Sequence, residues 1–82
     1  MRMNDEKTFD TKDFYIASFL LANGHRLSHV NRDDPQRVRF VFNDFEGRGD
    51  LLRDFLMGGA TVEPQSFINS MKSLKQVIHS HD

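Results

Sequence analysis

Asp13-Phe14-Tyr15-Ile16-Ala17-Ser18-Phe19-Leu20-Leu21-Ala22 is the stretch whose reading decides the fold. At about 100° per residue, Phe14, Ala17 and Leu21 share one side, Tyr15, Phe19 and Ala22 a second, and Ile16 and Leu20 a third. Ser18 and Asn23 are the polar breaks. A helix apolar nearly all round demands burial from several directions. It is shorter than the ~20 apolar residues that cross a bilayer, so the covering material has to come from this chain or from a second copy. Asp10 or Thr11 is expected to cap its start, with Asp13 complementing the positive helix end. Gly24 is expected to end it in the left-handed conformation that only glycine takes without cost.

Composition agrees with one small folded domain. The 82 residues are 38% hydrophobic and 28% charged, with a formal net charge of -1, which is neither a disordered tail nor two domains. A chain of this size buries only ~60–65% of its unfolded surface, so a partner or self-association would add to its stability. There is no cysteine, hence neither a disulfide framework nor a thiolate metal site, and a reducing cytoplasm is the expected location. The polar start MRMNDEKT lacks the basic head and apolar run of a secretory signal, and no membrane association is expected. Near-neutral charge argues against a diffuse nucleic-acid field and leaves room only for a local basic patch.

Downstream of the helix the periodicity changes. His25 to Asn31 reads as a strand, Arg32-Asp33-Asp34-Pro35-Gln36 as a turn, and Arg37-Val38-Arg39-Phe40-Val41-Phe42-Asn43 as a second strand with Val38, Phe40 and Phe42 on one face. The preferred register places Val30 opposite Val38 and Leu27 beside Val41; a one-residue slip would move Leu27 onto the phenylalanine face. Asp50 is expected to cap a short helix that carries Leu51, Leu52, Phe55 and Leu56 inward. Ala60-Thr61-Val62 is extended and is a candidate short third strand. Glu63-Pro64 opens the last helix, whose stripe Phe67, Met71, Leu74 and Ile78, flanked by Ile68 and Val77, faces the core while Asn69, Ser70 and Lys72 point elsewhere. The expected class is α/β of the α+β type, in the order α-β-β-α-(short β)-α, an antiparallel hairpin packed with three helices. Residues 1–9 are expected to be loose apart from Phe9, 10–79 to form the domain and 80–82 to fray.

The blocks DFYIASFLLANGHRL, VRFVFND, FLMGGATVEPQSF and SLKQVIH, in that order and spacing, resemble a family of short bacterial and phage proteins described only as a domain of unknown function. The resemblance covers roughly residues 12 to 79, and its matching positions include Asp13, Phe14, Gly24, Phe40, Phe42, Pro64, Phe67 and Lys75. These look like core, turn and cap residues. The resemblance implies a shared fold and carries over no catalytic residue, cofactor or substrate.

Candidate chemistry is sparse. His25 with His29 and His79 with His81 would need to be brought together from distant points to hold a metal, and solvated or structural roles account for them more simply. Asp44, Glu46, Asp50 and Asp54 crowd one region but lack the spacing of a calcium loop, and turn and cap duty explains them. Arg48-Gly49-Asp50 matches an adhesion tripeptide by chance, and Asp44-Phe45-Glu46-Gly47 lacks the phosphate loop and catalytic loop of a kinase. No nucleophile elbow accompanies the serines and histidines. No metal and no cofactor are expected.

Two features carry functional expectations. The outer hairpin face gathers Arg37, Arg39, His25 and His29 around Leu27 and Val41, with Tyr15 as an uncommitted stacking ring, a mixture suited to a nucleic-acid backbone or an acidic protein segment; a merely solvated sheet face is the simpler reading. The all-round apolar first helix leaves Ile16, Phe19 and Leu20 as candidates for self-association, and an open sheet edge offers strand addition. The expected function is a non-enzymatic protein-interaction module. The alternative is a weak nucleic-acid binder using the basic hairpin face. An enzyme ranks third, because few residues are left over to shape a pocket.

Overall fold

The computed structural model describes residues 7–34 and 36–79. The elements are β1 (Thr8–Thr11), α1 (Phe14–Ala22), β2 (Leu27–Asn31), β3 (Arg39–Asn43), α2 (Arg48–Leu56) and α3 (Pro64–His79). This is an α+β architecture. It has the three expected helices but a sheet of three antiparallel strands in the order β1-β3-β2. The third strand is not residues 60–62, which lie outside any strand; it comes from the segment expected to be loose, since Thr8 and Phe9 pair with Asn43 and Phe42. The expected loose residues 1–6, the frayed tail 80–82 and the turn role of Pro35 lie outside the described residues.

The start of α1 shows why Asp10 and Thr11 do not cap it: both belong to β1. Asp13 is the cap, its Oδ1 accepting from the Tyr15 and Ile16 amides at 2.8 and 3.0 Å. Thr11 acts one step earlier, its Oγ1 accepting from the Asp13 amide at 3.0 Å. A carboxylate here satisfies two of the orphan donors of the first turn. At the other end the His25 amide donates to the Leu20 carbonyl and the Gly24 amide to that of Leu21, with Gly24 at φ +92°. That is the 6→1 and 5→2 pairing of a Schellman cap, which requires the left-handed residue.

Ala17, Ser18, Phe19 and Leu20 are buried, and α1 packs against α3 and β1. Buried Ser18 is satisfied within its own helix, its hydroxyl donating to the Phe14 carbonyl at 2.8 Å, a back-bond that removes the cost of an unpaired hydroxyl. The core joins Ala17, Phe19 and Leu20 to Phe40 and Phe42 of β3, Leu52 of α2 and Leu74 of α3. Phe19 stacks on Phe55 with ring centroids 4.5 Å apart, and Phe14 meets Phe40 edge-on at 6.4 Å. These offset and edge contacts suit the ring quadrupoles.

The preferred register is not the one found, and the slipped alternative holds for Leu27, which does reach the phenylalanine face, but not for the rest of the strand. Val30 lies opposite Phe40 and His29 opposite Val41, but Leu27 lies opposite Phe42, with a bulge between Leu27 and His29. Residues three apart face opposite sides of a regular strand. The extra residue, Ser28, puts Leu27 and Val30 on the phenylalanine face together, so both apolar side chains reach the core. Arg37 and Val38 precede β3 rather than belonging to it.

Three further expectations are corrected. α2 begins at Arg48 after Gly47, which has φ +90° and caps without a side chain; Asp50 sits in the first turn and pairs with Arg53 at 3.0 Å. Leu56 is 68% exposed, because it closes the helix beyond the material that covers Leu52 and Phe55. On α3 the expected stripe Phe67, Met71, Leu74 and Ile78 is buried or half-buried, but at its margins Ser70 is buried and Ile68 is exposed, the reverse of the expectation for those two. The expected opening of α3 holds: the Glu63 carboxylate accepts from the Gln65 and Ser66 amides and the Ser66 hydroxyl.

Candidate functional site

Two regions hold the chemistry left outside the core. The first is the outer sheet face and the hairpin end beside it. Arg39, Val41 and Asn43 alternate with the core-facing residues of β3, and the pairings bring Asp10, His29 and Asn31 to the same face. Val41 is only 6% exposed there. Arg39 does not stand free. Its Nη1 lies 3.1 Å from Oδ2 of Asp10 on β1, with both side chains about half exposed. At the hairpin end a cleft of about 290 Å³ is lined by Asn31, Asp33, Asp34, Arg37 and Arg39. Much of its polar capacity serves the turn itself: Asn31 Oδ1 accepts from the Asp33 amide at 2.9 Å and Asp34 Oδ1 from the Gln36 amide at 3.0 Å. The cleft therefore mixes two arginines with two carboxylates.

The residues expected to form one basic face are dispersed. Arg39 and His29 do share the outer face, and Arg37 joins Arg39 at the cleft. His25 lies elsewhere, before β2, its ring parallel to that of Phe45 with centroids 3.7 Å apart. Leu27, expected beside Val41, is on the core side. Tyr15 is 59% exposed on the first turn of α1 and touches the Phe14 ring edge-on at 5.6 Å. Of the residues expected to support self-association, Phe19 and Leu20 are buried within their own chain and Ile16 is half-buried. β3 and the flanking helices cover the former two, so they offer no contact surface.

The second region is the junction of β1, β3 and α2. Arg48 donates through Nε to Asp44 Oδ1 at 3.0 Å and through Nη2 to Oδ2 at 3.2 Å, and its guanidinium lies 4.2 Å from the centroid of the Phe9 ring. A planar fork can satisfy a carboxylate and cover an aromatic face at once. The Arg48 hydrogen bonds, followed by the Phe45 amide, hold the Asp44 carboxyl below the usual carboxylate range, and the same pair raises Arg48. The Asp44 amide donates to the Lys7 carbonyl at 3.0 Å. This cluster ties the first strand to the second helix and serves the fold. Asp44, expected in turn duty alone, is thus also an ion-pair partner, and the i, i+4 spacing of Asp44 and Arg48 is the signal that points to it.

Sequence reading also missed Arg32 and Leu56-Met57. Arg32, placed in a turn, donates through Nη2 to the Val77 carbonyl at 2.6 Å and through Nη1 to that of Ile78 at 3.2 Å, binding the hairpin to the end of α3. Met57 is 80% exposed beside Leu56. Among the described residues no group of histidines and acids is placed to hold a metal ion, and no helix is long and apolar enough to cross a membrane.

No curated protein and no solved structure matches this chain. The model of a family described as a domain of unknown function, DUF5659, matches residues 6–80; spanning nearly the whole chain, that match places the protein in the family.

Proposed function

We propose that this protein is a small non-enzymatic interaction module that meets a protein partner through the end of α2. The observation that supports this reading is the pair Leu56 and Met57, adjacent large apolar side chains 68% and 80% exposed. A single exposed apolar residue is ordinary. Two in succession at one helix end form an apolar knob, and burying both against a partner would contribute roughly 2–4 kcal/mol. A cytoplasmic location fits the absence of cysteine. An enzymatic role has less support, because the polar groups of the hairpin cleft largely serve the turn. The alternative, weak nucleic-acid binding through the hairpin face, is also less supported. Asp10 pairs with Arg39, and Asp33 and Asp34 share the cleft with Arg37, so phosphates would meet three carboxylates beside two arginines.

The test is affinity capture from native extract, with nuclease present, using the wild type and a Leu56→Ser, Met57→Ser variant as bait. The variant is expected to melt with the wild type and to lose the proteins the wild type retains. Identical retention by both baits refutes the α2 contact. Retention abolished by nuclease, together with salt-dependent binding to DNA or RNA in titration, would favour the nucleic-acid reading instead.

A further inference from the structure

The two edges of the sheet are not alike. In an antiparallel ladder the directly opposed pairs alternate between those that exchange both main-chain hydrogen bonds and those that exchange none. The Asp44 amide donates to the Lys7 carbonyl, so in the β1–β3 register the bonded pairs are Lys7 with Asp44, Phe9 with Phe42 and Thr11 with Phe40. The main-chain N–H and C=O of Thr8 and Asp10 therefore point away from β3, along an edge that no other strand among the described residues occupies. Among the described residues none of the loop and cap hydrogen bonds reaches these groups.

Proteins guard such edges with bulges, charges or covering segments. The opposite edge, β2, carries the Ser28 bulge. β1 is regular over its four residues, and its one charged side chain, Asp10, is held by Arg39 at 3.1 Å. Arg39 offsets part of the charge that would discourage an incoming strand, and the carboxylate keeps enough of it to select the register.

We infer that β1 pairs antiparallel with β1 of a second copy of this chain, joining two three-stranded sheets into one of six. The register follows from the residues. The outward-facing main chains belong to Thr8 and Asp10, so a two-fold arrangement sets Thr8 opposite Asp10 of the other copy twice, with four main-chain hydrogen bonds. Shifting one way sets Asp10 opposite its own copy, a like-charge pair that destabilises a ladder. The Thr8–Asp10 register avoids that contact and lets each Thr8 hydroxyl donate to the facing carboxylate. On the inner face it places the two Phe9 rings opposite one another as the closely spaced, non-bonded pair, next to the Arg48 guanidiniums that already cover them. A net charge of -1 per chain offers little repulsion between copies. This pairing is independent of the α2 contact and stands or falls separately from it.

Sedimentation equilibrium from low micromolar to near-millimolar protein tests it, together with amide exchange at Thr8 and Asp10. Mass is expected to rise toward that of two chains while exchange at those two amides slows. Thr8→Pro removes an amide that β3 does not use, a position where an edge strand tolerates proline, and the variant is expected to fold and remain a single chain. Thr8→Asp leaves the main chain intact and sets two like-charge pairs across the junction, raising the dissociation constant roughly 2- to 30-fold; Thr8→Lys shifts it the opposite way. A single-chain mass over the whole range overturns the inference. So does a dimer that both Thr8→Pro and Thr8→Asp leave unchanged.

Discussion

Replacing Arg32 by methionine is expected to loosen the far end of α3 although the two lie 45 residues apart in sequence. The last carbonyls of a helix have no partner within it. Val77 and Ile78 find theirs in the two guanidinium nitrogens of Arg32, at 2.6 and 3.2 Å. Hydrogen bonds with a charged donor contribute ~1.5–3 kcal/mol when well shielded, and a cation at a helix C-terminus ~0.3–1 kcal/mol more. Arg32 is half-buried and solvent competes for both carbonyls, so the net loss in Arg32→Met is about 1–2 kcal/mol. For an 82-residue chain, whose total stability is about 4–12 kcal/mol, that lowers the melting temperature by roughly 4–16 °C. Urea denaturation measures the loss, and amide exchange at Val77, Ile78 and His79 locates it. Arg32→Lys keeps the charge but cannot bridge two carbonyls with a planar fork, so it is expected to recover only part of the difference. If Arg32→Met unfolds at the wild-type urea midpoint, or if exchange in the last turn of α3 is unaltered, the clamp contributes nothing and the reasoning fails.

Other substitutions probe the same framework. Leu74→Ala, at a fully buried position shared by α1, α3 and the sheet, should cost about 2–5 kcal/mol in chemical denaturation; a loss below about 1 kcal/mol would mean that the core closes around the gap. Asp13→Ala removes both acceptor contacts at the start of α1 and is expected to cost about 1 kcal/mol, with Asp13→Ser largely restoring it. Acid should weaken the fold through Glu63 and Asp44. The Ser66 and Gln65 amides and the Ser66 hydroxyl hold Glu63 below its ordinary 4.5, and Arg48 holds Asp44 below 3.8. The unfolded chain binds protons at these sites more readily than the folded one, so stability is complete above the ordinary values and is lost as pH falls through the lowered ones. Denaturation midpoints measured from neutral pH downward should show that decline, with a shallower acid limb in Glu63→Gln; an identical limb would remove Glu63 from the account.

The helices were legible in the residues because local physics specifies them. The apolar surface of residues 14–22, glycine after Asn23 and proline after Glu63 fix where α1 ends and α3 begins, whatever the rest of the chain does. The hairpin was legible for the same reason, through the two β-prone runs on either side of the polar stretch at Asp33 and Asp34. The central place of β3 was not legible: its second neighbour, Thr8–Thr11, lies on the far side of α1 in the chain, and four residues with one large apolar side chain carry little strand signal of their own. The bulge at Ser28 was out of local reach, since only the shared core face makes Leu27 and Val30 point together.

The candidate surfaces divide along the same line. The residues alone determined an α+β chain of modest size with a helix that had to be enclosed, and they grouped Arg37, Arg39, His25 and His29 as the polar complement of the hairpin, a group from which the structure removes His25. Tertiary structure decided what those groups face. β1, distant in the chain, pairs with β3 and sets Asp10 against Arg39, α1 turns Phe19 and Leu20 into the core, and α2 ends before its last leucine is covered. Each outcome depends on which distant backbone comes within a few ångströms, and spacing along one strand or helix carries no record of that.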